Sequence, residues 1–293
     1  MGFPVEKIDD IKAAPDDYQL IQRVPWTKPD VTFPHHIHEP VGDEVSLVVL
    51  DTETTGFDRD EDSIIELGLV KALVSPSTGQ VTSLIALASL YNDPGFPIPS
   101  LITDITGIND EMVQGHSVHA DDIVEWFSDD PIVVAHNASF DRQMFESHFD
   151  GLDRLRWACS IKDIPWSELG FEGSKLEYLL LKRGFFYEGH RASVDCLALA
   201  YLLETVNKAC RWLLESESRS QCKLEAVGCP FASKDVLKGR GYRWDGDAKV
   251  WHKMFNAGDV GQERDFLGQL YMNGGSKARV TDLSSRERYK QEA

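Results

Sequence analysis

The amino-acid sequence predicts an α/β three-layer domain with a small α+β unit appended near its C-terminal end. Three observations carry this. Between Ser46 and Tyr91, three β-rich stretches follow one another with short turns. From Ala120 to Val206, helical and strand-like stretches alternate. Beyond Lys223, after a polar stretch, a separate set of helix and hairpin signals begins. With 293 residues, 42% of them hydrophobic, the chain can bury one main core and a smaller second one.

Positions 1–45 are rich in Pro, Asp and His and read as an irregular N-terminal extension, where only Tyr18–Trp26 has strand character. His35, His36 and His38 have no Cys or carboxylate cluster at ligand spacing, so they read as solvated loop. Positions 46–206 form the main domain. In it Ser46–Leu50 is a short apolar run of the buried-strand kind. Ile64–Val74 and Ser83–Tyr91 follow, joined by a turn at Ser75–Gly79, and suggest an antiparallel meander. Positions 97–115 read as loop and short helix. Ala120–Phe127 has helical spacing and Pro131–Ala135 is a buried strand. Ser139 reads as the cap of a helix running to about His148, with Phe140, Met144 and Phe145 on one face. Helices over Leu176–Arg183 and Arg191–Val206 complete the domain. Positions 207–222 read as a linker, or in part as a frayed helix end, and 223–293 as the small unit. There a helix over Ala232–Arg240 ends at Gly241, and a hairpin turns at Asp245-Gly-Asp247.

Composition narrows the class. No apolar run approaches the ~20 residues that span a bilayer, and the Met-Gly-Phe-Pro start has neither the pattern of a secretory signal nor, with Glu6, that of a myristoylation site. Five scattered cysteines without a C-x-x-C pair suit reduced thiols, so a cytoplasmic protein with no membrane partner is expected. A net charge of −18 argues at first against a nucleic-acid partner. The distribution softens this: from Arg219 onward there are 14 Lys and Arg against 10 Asp and Glu, whereas the preceding 218 residues carry 16 against 38.

Three motifs carry chemistry. Asp51-Thr-Glu53-Thr-Thr-Gly56 directly follows a strand, and alternation puts Asp51 and Glu53 on one face. Two close carboxylates repel unless a cation lies between them, and hard oxygen ligands suit Mg²⁺ or Mn²⁺. Alone, the pair could equally be a surface acidic pair before a turn. His136-Asn137-Ala138-Ser139-Phe140-Asp141 lies at a strand-to-helix junction, where α/β proteins place functional groups. His190-Arg-Ala-Ser-Val-Asp195 opens the last helix of the domain.

Taken together, in the order Asp-x-Glu, Asp, His-x4-Asp, these motifs make positions 46–204 resemble the DEDDh 3′→5′ exonucleases, the family of the epsilon proofreading subunit of bacterial DNA polymerase III. Ile102–Asn109 and Asp110–Val113 resemble the loop after the family's third strand, and Arg191 occupies the position where the DEDDy branch has tyrosine. The resemblance implies a ribonuclease H-like fold with a mixed five-stranded sheet. It implies two Mg²⁺ or Mn²⁺ ions on Asp51, Glu53, Asp141 and Asp195, with His190 as general base. It also implies terminal-nucleotide contacts from Thr52, Thr54 and Thr55, with His136 and Asn137 as scaffold or substrate-shaping residues. The expected partners are single-stranded DNA 3′ ends, with RNA as the alternative, and a DNA polymerase; a silent binding module is the reading from another class.

In the C-terminal unit Lys234, Lys238, Arg240, Arg243, Lys249 and Lys253 surround Tyr242, Trp244 and Trp251. Interleaved cations and aromatics can grip single-stranded nucleic acid, although the same aromatics could simply be the core of a small domain.

Overall fold

The computed structural model describes residues 5–206 and 208–290. The first four residues of the expected extension, position 207 of the expected linker and the last three residues of the C-terminal unit lie outside the described residues.

The strands are β1 (Gln22–Arg23), β2 (His35–His36), β3 (Val45–Thr54), β4 (Ile64–Ser75), β5 (Gln80–Tyr91), β6 (Ile132–Ala135), β7 (Arg156–Cys159), β8 (Phe185–Phe186), β9 (Gln221–Ala226), β10 (Arg243–Asp245), β11 (Val250–Asn256) and β12 (Arg279–Leu283). The main sheet runs β2-β5-β4-β3-β6-β7. Its β3, β4 and β5 form the expected antiparallel meander, and β6 and β7 join parallel to β3, giving the mixed sheet of a ribonuclease H-like fold. A sixth strand, β2, adds two residues at the edge of β5.

Strand β3 explains the layering. Its Leu47 and Val49 pack into one core with the helix Ala192–Thr205, while Val48 and Leu50 pack into another with the helix Ala138–His148. Alternating apolar residues thus bury both faces of one strand. The helix Ala192–Thr205 is apolar nearly all round, so its outer side also needs cover. The N-terminal extension supplies it: Val24 and Trp26 are buried in the same core, and Trp26 meets Tyr201 edge-on at 5.1 Å.

The extension is therefore not irregular. It holds the helix Ile8–Ala13, and β1 pairs parallel with β8. Nor do its histidines form a solvated loop. His36 hydrogen-bonds Ser83 at 3.1 Å and His38 meets Glu204 at 2.5 Å. The expected linker is largely the helix Ala209–Ser218, whose Ala209, Cys210 and Leu213 are buried in the main core. Glu215–Ser218 is polar but helical, and its Ser216 and Glu217 are buried in hydrogen bonds with Asp163 and Arg156, so polarity there does not mark a chain break.

In the C-terminal unit the sheet order is β10-β11-β9-β12, with the helices Lys234–Gly239 and Val260–Leu270 beside it. The expected hairpin is β10–β11, turning where Asp245 accepts from the amides of Asp247 and Ala248. After β12 the chain returns to the main domain: Trp157 N–H donates to the Ser285 carbonyl at 2.9 Å, and the Tyr289 hydroxyl donates to Asp163 at 2.7 Å. Among the described residues, no helix is long and apolar enough to cross a membrane.

Candidate active site

Asp51 and Glu53 point to the side of β3 that Leu47 and Val49 occupy, toward the helix Ala192–Thr205, whose first turn carries Asp195. One carboxylate oxygen from each of Asp51, Glu53 and Asp195 lies within 4.8 Å of the others. Gly68 makes this approach possible. It faces Asp51 across the β3–β4 pair, and a Cβ there would lie 2.3 Å from the Ala192 carbonyl carbon. Any side chain at 68 would push away the helix start that carries Asp195.

Asp141 belongs to the helix on the other face. Thr52, one residue out of phase with Asp51 and Glu53, meets it there: its amide and hydroxyl donate to Asp141 Oδ1 at 3.1 and 3.0 Å. Asp141 is 3% exposed. It stands next to the three-carboxylate cluster without being one of its mutually close members. Its helix has Asn137 at the N-cap position and begins at Ala138, so Ser139 is not the cap as expected. Ser139 is a buried first-turn residue that accepts a hydrogen bond from Lys162 at 2.7 Å.

The electrostatics are those of anions held together without a counter-charge. Burial, then repulsion from Asp141, Asp195 and Glu53, pushes Asp51 well above the usual carboxylate range. Glu53 is pushed up to about 8 by burial and Asp195. Burial lifts Asp141 to about 7 against the Thr52 hydrogen bonds, and lifts Asp195 against one from Tyr187. Asp51, Glu53 and Asp195 still open partly to the cleft. Buried carboxylates that resist ionising fit a divalent cation well, since it supplies the missing charge.

His190 is exposed, with φ at +65°. The residues around it anchor the loop. Arg191 N–H donates to Asp195 Oδ2 at 3.2 Å, and the Tyr187 hydroxyl donates to Asp195 Oδ1 at 3.0 Å. The Arg191 side chain pairs with Glu66 at 3.0 Å, donates to the Tyr91 hydroxyl and lies over the Tyr91 ring. Glu66 is fully buried and also accepts from Ser89 Oγ and from the amide of Ala192.

The remaining predicted residues separate. Thr54 donates to the Gly56 carbonyl and Thr55 to Asp62, so both hydroxyls are engaged within their own loop. His136 bridges Ser160 Oγ and the Ser174 carbonyl, each at 2.7 Å, and burial lowers its pKa to about 4. Asn137 instead lines a hollow of about 210 Å³ with Phe57, Arg59, Ser139, Phe140, Gln143 and Met144. Phe57 is 88% exposed there, 5.9 Å from Phe140. A larger hollow of about 530 Å³, between Arg264, Gln269 and Asn273, brings together no comparable chemistry.

Residues 48–203 match the RNase T family model, described as an exonuclease. The chain belongs to this exonuclease family. Curated relatives of this exonuclease domain include the PolC-type DNA polymerase III of Bacillus subtilis, 35% identical over 171 residues, and that of Listeria innocua, 33% identical over 168 residues. Each alignment covers 55% of this chain and 11% of the relative, so the exonuclease spans about a tenth of the length of those polymerases. Similar solved structures include exonuclease X in complex with 5′ overhanging duplex DNA, at 25% identity and a TM-score of 0.41 over 55% of this chain and 90% of that one. Another is the nuclease domain of 3′hExo bound to rAMP, at 17% identity and a TM-score of 0.43 over 59% and 94%.

Several supporting residues of the exonuclease site escape sequence reasoning. Glu66 had a visible signal, since a lone carboxylate within Ile64-Ile-Glu-Leu67 must find a partner if the strand is buried. Gly68 and Tyr187 had none, because their roles depend on which elements meet.

Proposed function

We propose that this chain is a Mg²⁺- or Mn²⁺-dependent 3′→5′ exonuclease of the DEDDh type, releasing nucleoside 5′-monophosphates from the 3′ end of DNA. The observation that carries the reading is the convergence of Asp51, Glu53 and Asp195 within 4.8 Å, with Asp141 beside them. Asp51, Glu53 and Asp195 would hold one ion, and Asp51 with Asp141 a second. Such ions supply Lewis acidity to the scissile phosphate and its attacking water. Thr52 fixes the Asp141 carboxylate, and Tyr187 and the Arg191 amide fix that of Asp195. His190, which is exposed, takes the proton from the attacking water at its imidazole. Phe57 and Phe140 offer aromatic faces to the terminal bases.

DNA is favoured by the relatives, which are named as DNA polymerases, and the same names support association with a polymerase. All five cysteines are unpaired, in keeping with a cytoplasmic protein. The deciding experiment digests 5′-labelled single-stranded DNA and RNA with Mg²⁺, Mn²⁺ or EDTA, beside Asp51→Ala. A metal-dependent ladder shortening from the DNA 3′ end, absent in the variant, is expected. A ladder on RNA alone would move the substrate to RNA. Binding without cleavage of either would make the chain a binding module.

A further inference from the structure

The C-terminal unit is tied to the main domain at both of its ends, and on the same side. The helix Ala209–Ser218, which leads into β9, bonds through Ser216 Oγ to Asp163 at 2.9 Å. The segment after β12 returns to β7 through Ser285 and to Asp163 through Tyr289. Asp163 ends the short helix Ser160–Asp163, whose Lys162 bonds Ser139 at the wall of the hollow that Phe57 and Phe140 also line. The Tyr289 ring lies 5.6 Å from the same ammonium. The unit is thus fastened next to the hollow that Ser139, Phe57 and Phe140 line.

Its surface residues differ in what they can still do. Arg240 is paired with Glu263 at 2.8 Å and packed on Phe266, and Lys253 donates to the Arg240 carbonyl. Tyr242 is buried core. Arg243 is exposed on the edge strand and makes no ion pair among the described residues. Trp244 beside it is 49% exposed and supported edge-on by Trp251 at 5.6 Å. An exposed cation and an open indole beside an acidic domain complement a polyanion that carries bases.

We propose that Arg243 and Trp244 form a second binding surface for single-stranded nucleic acid, gripping the part of the strand that has passed Phe57, Phe140 and Lys162 on its way out of the catalytic cleft. The orientation of the strand rests on the exonuclease reading; the surface itself does not. The test measures affinity by fluorescence anisotropy on the full chain in EDTA, where cleavage is blocked. The probes are a labelled trinucleotide and a long oligothymidylate. In Arg243→Glu/Trp244→Ala, affinity for the long strand should fall about tenfold, and the preference for long over short strands should collapse. The slope of log affinity against log salt should become shallower by about 0.7, because one phosphate no longer has the Arg243 guanidinium to neutralise it. Both side chains are exposed, and Arg243→Glu alone repeats the salt test if the double variant folds poorly. Unchanged affinity, or an equal loss for both probes, would overturn the proposal. If the wild type cleaves nothing while length-dependent binding through Arg243 persists, the exonuclease reading fails and this surface stands.

Discussion

Arg191 pairs at 3.0 Å with Glu66, which faces Glu53 directly across the β3–β4 register. The residue that follows His190 is thereby fixed to the strand beside the Asp51–Glu53–Asp195 cluster. Glu66 also accepts from the Ala192 amide at the helix start, so one buried carboxylate holds both the His190 loop and the Asp195 helix.

Removing that charge should loosen both. In Glu66→Gln the side-chain size is kept, Arg191 is partly exposed and can hydrate, and fold stability should fall by about 1–3 kcal/mol. Turnover should fall more, by up to about a hundredfold, because small displacements of reacting groups are costly. The loss should appear in kcat with KM little changed, and the pH profile of kcat should move if His190 is displaced. Wild-type kcat with an unaltered profile would remove Glu66 from the positioning role.

Gly68 gives a sharper steric prediction. Its φ is ordinary, but a methyl group would meet the Ala192 backbone at 2.3 Å, and backbone cannot yield as a flexible side chain does. Gly68→Ala should separate Asp195 from Asp51 and weaken Mn²⁺ binding, measured by calorimetry, by at least about tenfold, at a stability cost of roughly 1–3 kcal/mol. Undiminished Mn²⁺ affinity would mean that the helix start shifts without opening the site.

These two residues mark how far the sequence could be read. The meander, the strand ahead of Asp51 and the helix bearing Asp195 were legible because period-2 and helical patterns report burial directly. The motifs also pointed to the four carboxylates, although Asp51 and Glu53, expected just past a strand, lie within β3. The N-terminal extension was not legible, because β1 and β2 are two residues long and their signal lies in what they pair with. The apolar surface around Ala192–Thr205 needs a cover, but nothing in that helix says which segment supplies it. The helix Ala209–Ser218 was hidden by its polar second half, whose Ser216 and Glu217 are buried through partners that the sequence does not reveal, although Ala209, Cys210 and Leu213 carry helical spacing.

The carboxylate cluster also predicts how stability depends on pH and metal. With Glu53 held at about 8 and Asp141 at about 7, the folded state binds more protons than the unfolded chain above the ordinary carboxylate pKa of ~4. Metal-free stability must then fall as pH rises from ~4 towards 8. A bound cation opposes this, so Mn²⁺ should raise Tm little at pH 5 and by several degrees, about 2–4 °C or more, at pH 8. Asp51→Asn should melt higher than wild type in EDTA at pH 8 and yet lack turnover. Melting temperatures that ignore Mn²⁺ at both pH values would sink the metal assignment.

The last prediction concerns the chain end. Arg142, next to Asp141, is fully buried, and its guanidinium donates to the carbonyls of Arg286 and Arg288, both at 2.6 Å, and to Glu146. Arg288 is buried in turn and donates to the carbonyls of Glu217 and Arg219. Ending the chain after Leu283 removes these acceptors and leaves the Arg142 guanidinium with Glu146, the Asp153 carbonyl and the Trp157 ring. The cost should be about 3–5 kcal/mol in denaturant unfolding. Loosening of the helix behind Asp141 should lower Mn²⁺ affinity as well. If the unpaired charge is the cause, Arg142→Met in the shortened chain should recover much of the stability, because a buried apolar side chain needs no acceptor. A shortened chain as stable as wild type, or one that Arg142→Met fails to rescue, would show that the tail holds the domain through its other contacts.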